Sequence, residues 1–386
     1  MSATLQRLLT MLAVAACIAV PGAARAQSPW IAPSVAIGIA YDDNITASEA
    51  DPQSDLMLRV TPSLEAGFRS ARGEGRFLHT FDAEKYRDST NLDSAQVRRY
   101  TELQFDYRVT PRLDAALLAT TAASDFADDL APEFGLELGR VDSRRTSIAP
   151  ELEYRFTPRT SGLVGLEIER DQVVSGITAD TRGAFIGAAY RATPRTTWSV
   201  DLIRRQYSFD PGGDAHSNIV LLGWTGQVSP RATLSIHAGP RMTEVDTRSE
   251  VLIGYRYDIP GGEFSAGYQR TERTIIGQAS LAEAGTLWLL YAHPITPSLA
   301  LRLVPSYTAL SRGDASSNTA GIALAADYRF TPLISLTSSY RWTQQDGSLE
   351  RGPVDITRNV VFFGMTVAFS PRVGQTPPAD IRRRNR

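Results

Sequence analysis

One short phrase recurs along this chain. Tyr154 to Arg159 reads YRFTPR; YRVTPR ends at Arg112, YRATPR at Arg195 and YRFTPL at Leu333. Looser copies are QVSPR at 227–231, PITPS at 294–298 and FSPR at 369–372. The prolines fall at 111, 158, 194, 230, 297, 332 and 371, and DIPGG at 258–262 fills the gap after 230. Successive steps are then 47, 36, 36, 30, 37, 35 and 39 residues. Solenoids and propellers share periods in this range, so the spacing alone leaves the fold open.

Strand length decides between them. In RRYTELQFDYRVTP, Leu103, Phe105, Tyr107 and Val109 alternate with Glu102, Gln104, Asp106 and Arg108. Val164, Leu166 and Ile168 alternate with Gly165, Glu167 and Glu169, and GIALAADYRF at 321–330 behaves alike. These period-two runs cover about 10–14 residues, with one apolar and one polar face. A propeller would fit four short strands into each period, whereas here two long ones fill it. Each unit therefore reads as a long hairpin: strand, Thr-Pro turn, strand, then a polar loop. The loops expected are DFADDLAPEFGLELGRVDS (125–143), DPGGDAHSN (210–218), SRGDASSN (311–318) and TQQDGSLERGPVD (343–355).

Short turns at one end and longer polar loops at the other match a transmembrane antiparallel up-and-down β-barrel, turns in the periplasm. About eighteen strands are expected. In lipid an open edge leaves unpaired N–H and C=O groups, so SVAIGIAYDD (34–43) and NVVFFGMTVAF (359–369) should pair and close the barrel. Gly364, Val367 and Phe369 fit the C-terminal signal read by the barrel-assembly machinery, with Phe362 where a polar residue is usual. Pro62, Pro150, Pro240 and Pro305 fall in or near expected strands, where bulges or displaced strand ends are the expected accommodation.

The ends of the chain fit this placement. Arg7, the apolar run Leu8–Val20, the break at Pro21-Gly22 and Ala24-Arg25-Ala26 form a secretory signal over 1–26, with the mature chain starting at Gln27. VAAC (14–17) resembles a lipobox, an alternative in which Cys17 is lipidated. If Cys17 is removed, the mature chain has no cysteine and hence no disulfide, thiolate nucleophile or cysteine metal site. The barrel is expected over 27–371 and a basic periplasmic tail, ending ADIRRRNR, over 372–386. A net charge of −2 implies no nucleic-acid partner.

Alternation places Tyr107, Tyr154, Tyr190 and Tyr328 outward beside the periplasmic turns, as an aromatic girdle. The inward face supplies the candidate pore-lining residues: Glu102, Asp106, Arg108, Glu151, Glu153, Arg155, Glu167, Glu169, Arg191, Asp201, Asp327, Arg329 and Arg341. The arginines beside the turns either pair with carboxylates of their own or neighbouring strands or form a ring tuning anion passage. Asp42, Asp43 and Asn44, with Asp51 and Asp55 nearby, either bind Ca²⁺ or close an Asx-turn. His216-Ser217-Asn218 holds hydrolase residue types, but strand neighbours face opposite sides and no histidine pair has metal-site spacing. No enzyme, metal or cofactor is expected.

YDDNI at 41–45, followed by SDLMLRVTPSLEAGF at 54–68, resembles the β-barrel porin type 2 family of Gram-negative outer membranes. That resemblance implies an outer-membrane barrel, often encoded beside exopolysaccharide genes, with periplasmic polysaccharide-export components as partners besides the lipid. The function expected is a porin-like channel passing hydrophilic solute, in the context of surface-polysaccharide export. The alternative is a non-conducting structural or adhesive barrel, which a lumen filled by inward-folded loops would favour.

Overall fold

The computed structural model describes residues 27–130, 140–174, 176–313, 315–349 and 352–369; the expected leader and basic tail lie outside them. The chain is built from strands of 11–17 residues, longer than the 9–11 needed to cross a bilayer at the usual tilt. In order they are β1 (Gln27–Asp42), β2 (Asp55–Arg69), β3 (Gly73–Tyr86), β4 (Ser94–Thr110), β5 (Leu113–Phe126) and β6 (Arg140–Arg155). Then come β7 (Thr160–Val173), β8 (Thr178–Thr193), β9 (Thr196–Asp210), β10 (Asp214–Ser229), β11 (Ala232–Met242) and β12 (Thr247–Ile259). The last are β13 (Gly262–Thr274), β14 (Leu281–Pro294), β15 (Leu299–Arg312), β16 (Ala315–Arg329), β17 (Ile334–Leu349) and β18 (Gly352–Ala368). A four-residue helix, α1 (Ala127–Leu130), follows β5.

Every strand pairs antiparallel with its chain neighbours, and β1 pairs with β18 from Ser34↔Ala368 to Asp42↔Val360. The eighteen-stranded sheet is thus closed, with the seam at the two segments the sequence nominates.

The repeated Thr-Pro is the turn itself. Thr157 Oγ1 accepts the N–H groups of Arg159 (3.1 Å) and Thr160 (3.0 Å). Thr110, Thr296 and Thr331 accept from the same two positions of their own turns, at 3.0–3.2 Å. Proline fixes φ for the turn and the hydroxyl satisfies donors left behind by the ladder.

The four strand prolines behave differently from expectation. Around Pro150, β6–β7 pairing lapses between Ile148↔Ile168 and Glu151↔Gly165, then resumes in the same register, while Leu117↔Pro150 holds on the other side. Pro62, Pro240 and Pro305 likewise interrupt one neighbour's ladder and keep the other. Proline lacks a donor on one edge only, so the sheet opens locally there and needs no bulge.

The loops are also shorter than expected. Asp214–Asn218 belongs to β10, Ala315–Asn318 to β16, and most of 343–355 to β17 and β18. Polar residues beyond the apolar belt still pair their backbones, so composition there marks the water boundary and not the strand end. Only 43–54, 87–93 and 127–139 exceed six residues.

Outward side chains form an apolar band: Ile37 and Ile39 on β1, Val164, Leu166 and Ile168 on β7, Ile186 on β8, Val200 and Leu202 on β9, Phe363 and Met365 on β18, all exposed. Tyr154, Tyr190 and Tyr328 stand exposed at its turn end; Tyr107 is half-buried, stacked on Phe105 at 6.0 Å. A closed sheet with such a band is what a bilayer selects.

Candidate functional site in the lumen

Cross-strand partners share a side, so the register carries the inward face round the barrel. By it all thirteen candidate residues lie on the inner wall. Their surroundings divide the lumen into two halves.

At the turn end the wall is wet. Arg108, Arg191 and Arg329 are exposed there. Arg155 is bonded to Asp114 on β5, and Arg108 Nε lies 3.5 Å from the same carboxylate. Arg191 and Arg329 have no carboxylate within 4.0 Å among the described residues. Asp327 accepts from Thr337 Oγ1 at 2.7 Å, and Glu151, Glu153 and Glu167 are half-buried. Of the turn-side arginines, two share Asp114, as the pairing reading expects, and two stand open to the lumen.

Higher in the wall, Arg76 bridges Glu65 (2.6 Å) and Glu102 (3.0 Å), and Gln104 donates to Asp106 at 3.0 Å. Glu169 lies 3.7 Å from Arg145. Asp201 accepts from Ser199 Oγ at 3.4 Å and lies 3.9 Å from His237 Nδ1, the three converging where Gly223 leaves the wall bare. Ser217 is buried inward while His216 reaches Glu244 at 2.9 Å, so the adjacent hydrolase-like residues do part company.

At the loop end the inward residues are buried. Ser217, Thr286, Ser317 and Gln345 are at most 1% exposed, although all four point into the barrel. Among the described residues, Ile45 after β1 packs on the inward Ala40, Met57 and Tyr86, and two further segments enter the space. Phe126 at the end of β5 and α1 turn inward, and Ile275 and Ile276, after β13, meet Leu130 in an apolar cluster with Ala282, Ala284 and Leu310. Across the lumen Thr274 Oγ1 donates to Asp171 at 2.9 Å, and Asp171 takes the paired Nε and Nη2 of Arg145 at 2.7 and 2.8 Å.

Asp129 is the polar centre of this packing. Arg98 Nε donates to it at 2.5 Å, Ser124 Oγ at 2.8 Å, and Arg341 Nη1 lies 3.5 Å away. Burial alone would raise its pKa, but the Arg98 guanidinium, helped by Arg341, holds the carboxyl well below the usual carboxylate range. Arg98 also donates to Glu84 (2.6 Å), which Arg59 reaches at 2.7 Å and Tyr86 at 2.8 Å. Phe126 has the guanidiniums of Arg358, Arg140 and Arg98 over its ring at 4.0, 5.4 and 5.7 Å. A cavity of about 200 Å³ lies below Asp129, lined by Arg59, Arg98, Arg341, Arg358 and Phe362.

Alternation alone did not single out Asp42, Glu84, Arg98, Asp129, Arg241, Glu250 or Arg358. Arg241, 1% exposed, holds Glu250 at 2.7 Å, and Arg205 reaches the same carboxylate at 3.2 Å. Strand parity would have found most of these, had the strands been extended through their polar ends. The Asp42–Asn44 stretch closes an Asx-turn: Asn44 N–H donates to Asp42 Oδ1 at 3.0 Å.

No protein-family model matches the chain, and no curated protein matches it either. Among solved structures, it is similar to OccK3 (OpdO) of Pseudomonas aeruginosa at 13% identity, covering 89% of this chain and 97% of that one, TM-score 0.46. It is similar to OccAB4 of Acinetobacter baumannii at 10% identity, covering 90% and 100%, TM-score 0.45. OccK9 (OpdG) of Pseudomonas aeruginosa matches at 13% identity over 89% and 99%, TM-score 0.46.

Proposed function

We propose that the chain is an outer-membrane channel for hydrophilic solute, with segments packed into the loop half of its lumen. The observation that carries this reading is the inner wall. A barrel that only displayed loops would have no need of a charged, water-accessible vestibule, yet Arg108, Arg191 and Arg329 stand exposed at the turn end. The segment after β5 is held by the contacts of Asp129 with Arg98 and Ser124 and by the apolar packing of Leu130 on Ile275 and Ile276, and an incoming charged solute can take over the polar part. Conduction then requires Phe126–Leu130 to leave the axis. The mechanism is passage along a hydrated, charge-lined wall, without covalent chemistry.

Planar-bilayer recording of the refolded chain tests this. Discrete conductance steps are expected, larger when Asp129 is replaced; a barrel silent both as wild type and as Asp129→Ala would remove the channel reading.

A second reading, a non-conducting structural barrel, is favoured by the burial of Ser217, Thr286, Ser317 and Gln345 in the loop half. Within the channel reading, the resemblance of Tyr41–Ile45 supports a place in surface-polysaccharide export. A deletion strain that makes polymer but retains it in the periplasm is expected; unchanged surface polymer would sink that specialisation.

A further inference from the structure

On the outer face of β6–β9 four arginines occupy four successive strands: Arg144, Arg170, Arg182 and Arg204. Arg144 is paired with Gln172, two residues from Arg170. Arg170 is paired with Asp180, two from Arg182, and Arg182 with Gln206, two from Arg204. The four thus form one diagonal, each step two residues nearer the turns. Diagonal neighbours on a sheet are about 7–8 Å apart. Because barrel strands tilt by roughly 35–45°, such a diagonal runs close to the membrane plane.

Its height is set by the residues below it. On the turn side of these arginines the same face carries Ile148, Ile168, Ala184 with Ile186, and Leu202, ending in Tyr154, Tyr190 and Trp198. The arginines therefore sit on the loop-end rim of the apolar band. Arg170 is bonded to Asp180 at 2.5 and 2.6 Å. Arg182 and Arg204 are exposed, with no carboxylate within 4.0 Å among the described residues. Asp142 stands on the same face one step nearer the loops than Arg144, and Asp210 three steps nearer them than Arg204.

We infer that this row binds the phosphate groups of a phosphorylated glycolipid in the outer leaflet. A guanidinium offers a planar fork that matches phosphate, and a row of them at headgroup depth meets several phosphates at once. Held between apolar band and water, such arginines are less hydrated than in solution, which strengthens each contact. The inference rests on the outer-membrane placement and not on conduction.

The test uses the full mature chain in detergent micelles, probed with diphosphoryl lipid A and read by native mass spectrometry. Wild type should retain the lipid, and the double variant R182Q/R204Q should lose at least tenfold in affinity. Lipid A stripped of phosphate should not be retained, and inorganic phosphate alone should not compete at equal concentration. Equal retention of the stripped lipid, or by the double variant, overturns the site; competition by inorganic phosphate makes it a soluble-anion site and also overturns it. Heat-shifted mobility on gels checks that the variant is folded. R182K/R204K, which keeps the charge but loses the fork, should bind with intermediate affinity. Surface labelling of Ala50→Cys in intact cells checks the placement separately: no label there overturns the orientation, and the inference with it, whatever the conductance.

Discussion

Arg358 on β18 grips Asp42 on β1 through both nitrogens of its fork, Nη2 to Oδ2 at 2.7 Å and Nε to the two oxygens at 3.1 and 3.2 Å. The pair locks the seam where the ends of the chain meet. One residue on, Asn359 donates from its backbone and side chain to Asp43 at 2.6 and 2.7 Å. Asn44 Nδ2 reaches the carbonyls of Ser48 and Thr357. The Tyr41–Ile45 motif thus acts as a clasp: its carboxylates are engaged by β18, and no metal-holding cluster is found among the described residues.

Breaking one member of this clasp leaves the other charge buried. Asp42 is 2% and Arg358 6% exposed, and removing one partner of such a pair costs about 3–5 kcal/mol. Asp42→Ala should lower the urea midpoint of the barrel in lipid vesicles, followed by tryptophan fluorescence. The double variant D42A/R358M should recover part of the loss, because it buries no orphan charge. An unchanged midpoint for Asp42→Ala would mean that the seam is held by the ladder alone.

Gly239 lets two backbones meet. A Cβ built there would lie 1.8 Å from the carbonyl oxygen of Val220, beside the stretch where Pro240 already opens the β10–β11 ladder. Gly239→Ala must part the strands further, exposing backbone groups that lipid cannot satisfy. A loss of folded barrel larger than for Gly285→Ala, whose nearest neighbours lie at 3.6 and 3.8 Å, is the expected result in heat-shift gels.

The turn hydroxyls should be individually modest. Thr157→Val removes an acceptor for two backbone N–H groups but leaves them near water, so about 1 kcal/mol is expected, and Thr157→Ser should restore it. Refolding yield and urea midpoint of the two variants would check this, with Thr331 as a replicate site.

The hairpin period, the closure and the inward faces were legible because they depend on local rules: proline and threonine at turns, alternation of two, and the ban on open edges in lipid. Asp214–Asn218 was misread as loop because polar composition signals water on both faces, and paired strands tolerate that as well as loops do. The lumen packing was not legible at all. Whether Asp129 points out to solvent or in toward Arg98 and Arg341 depends on contacts between segments some thirty to two hundred residues apart in the chain, and no window of the sequence contains both sides. Gly38 shows the same limit: it reads as a gap in a strand until Phe362 is seen lying over it, 2.6 Å from where a Cβ would be.

Under the proposed channel reading, Asp129 also predicts a response to acid. Its carboxyl is half-buried, and that desolvation opposes ionisation, yet Arg98 foremost and Arg341 next hold its pKa below the ordinary value of 3.8. A depressed folded value means that the stabilisation of the docked state is present above the unfolded pKa and lost as pH falls through the folded one. The Asp129-linked part of the conductance at fixed salt should therefore hold steady from pH 7 down to about pH 4. It should rise only in stronger acid, as Asp129 protonates and lets go of Arg98. Asp129→Asn should show the high-conductance state already at neutral pH, with the residual pH dependence of its other carboxylates. A conductance that climbs between pH 7 and 5 in the wild type would put the controlling group elsewhere, and an unaltered Asp129→Asn trace would mean that the apolar contacts of Leu130 with Ile275 and Ile276 close the lumen by themselves.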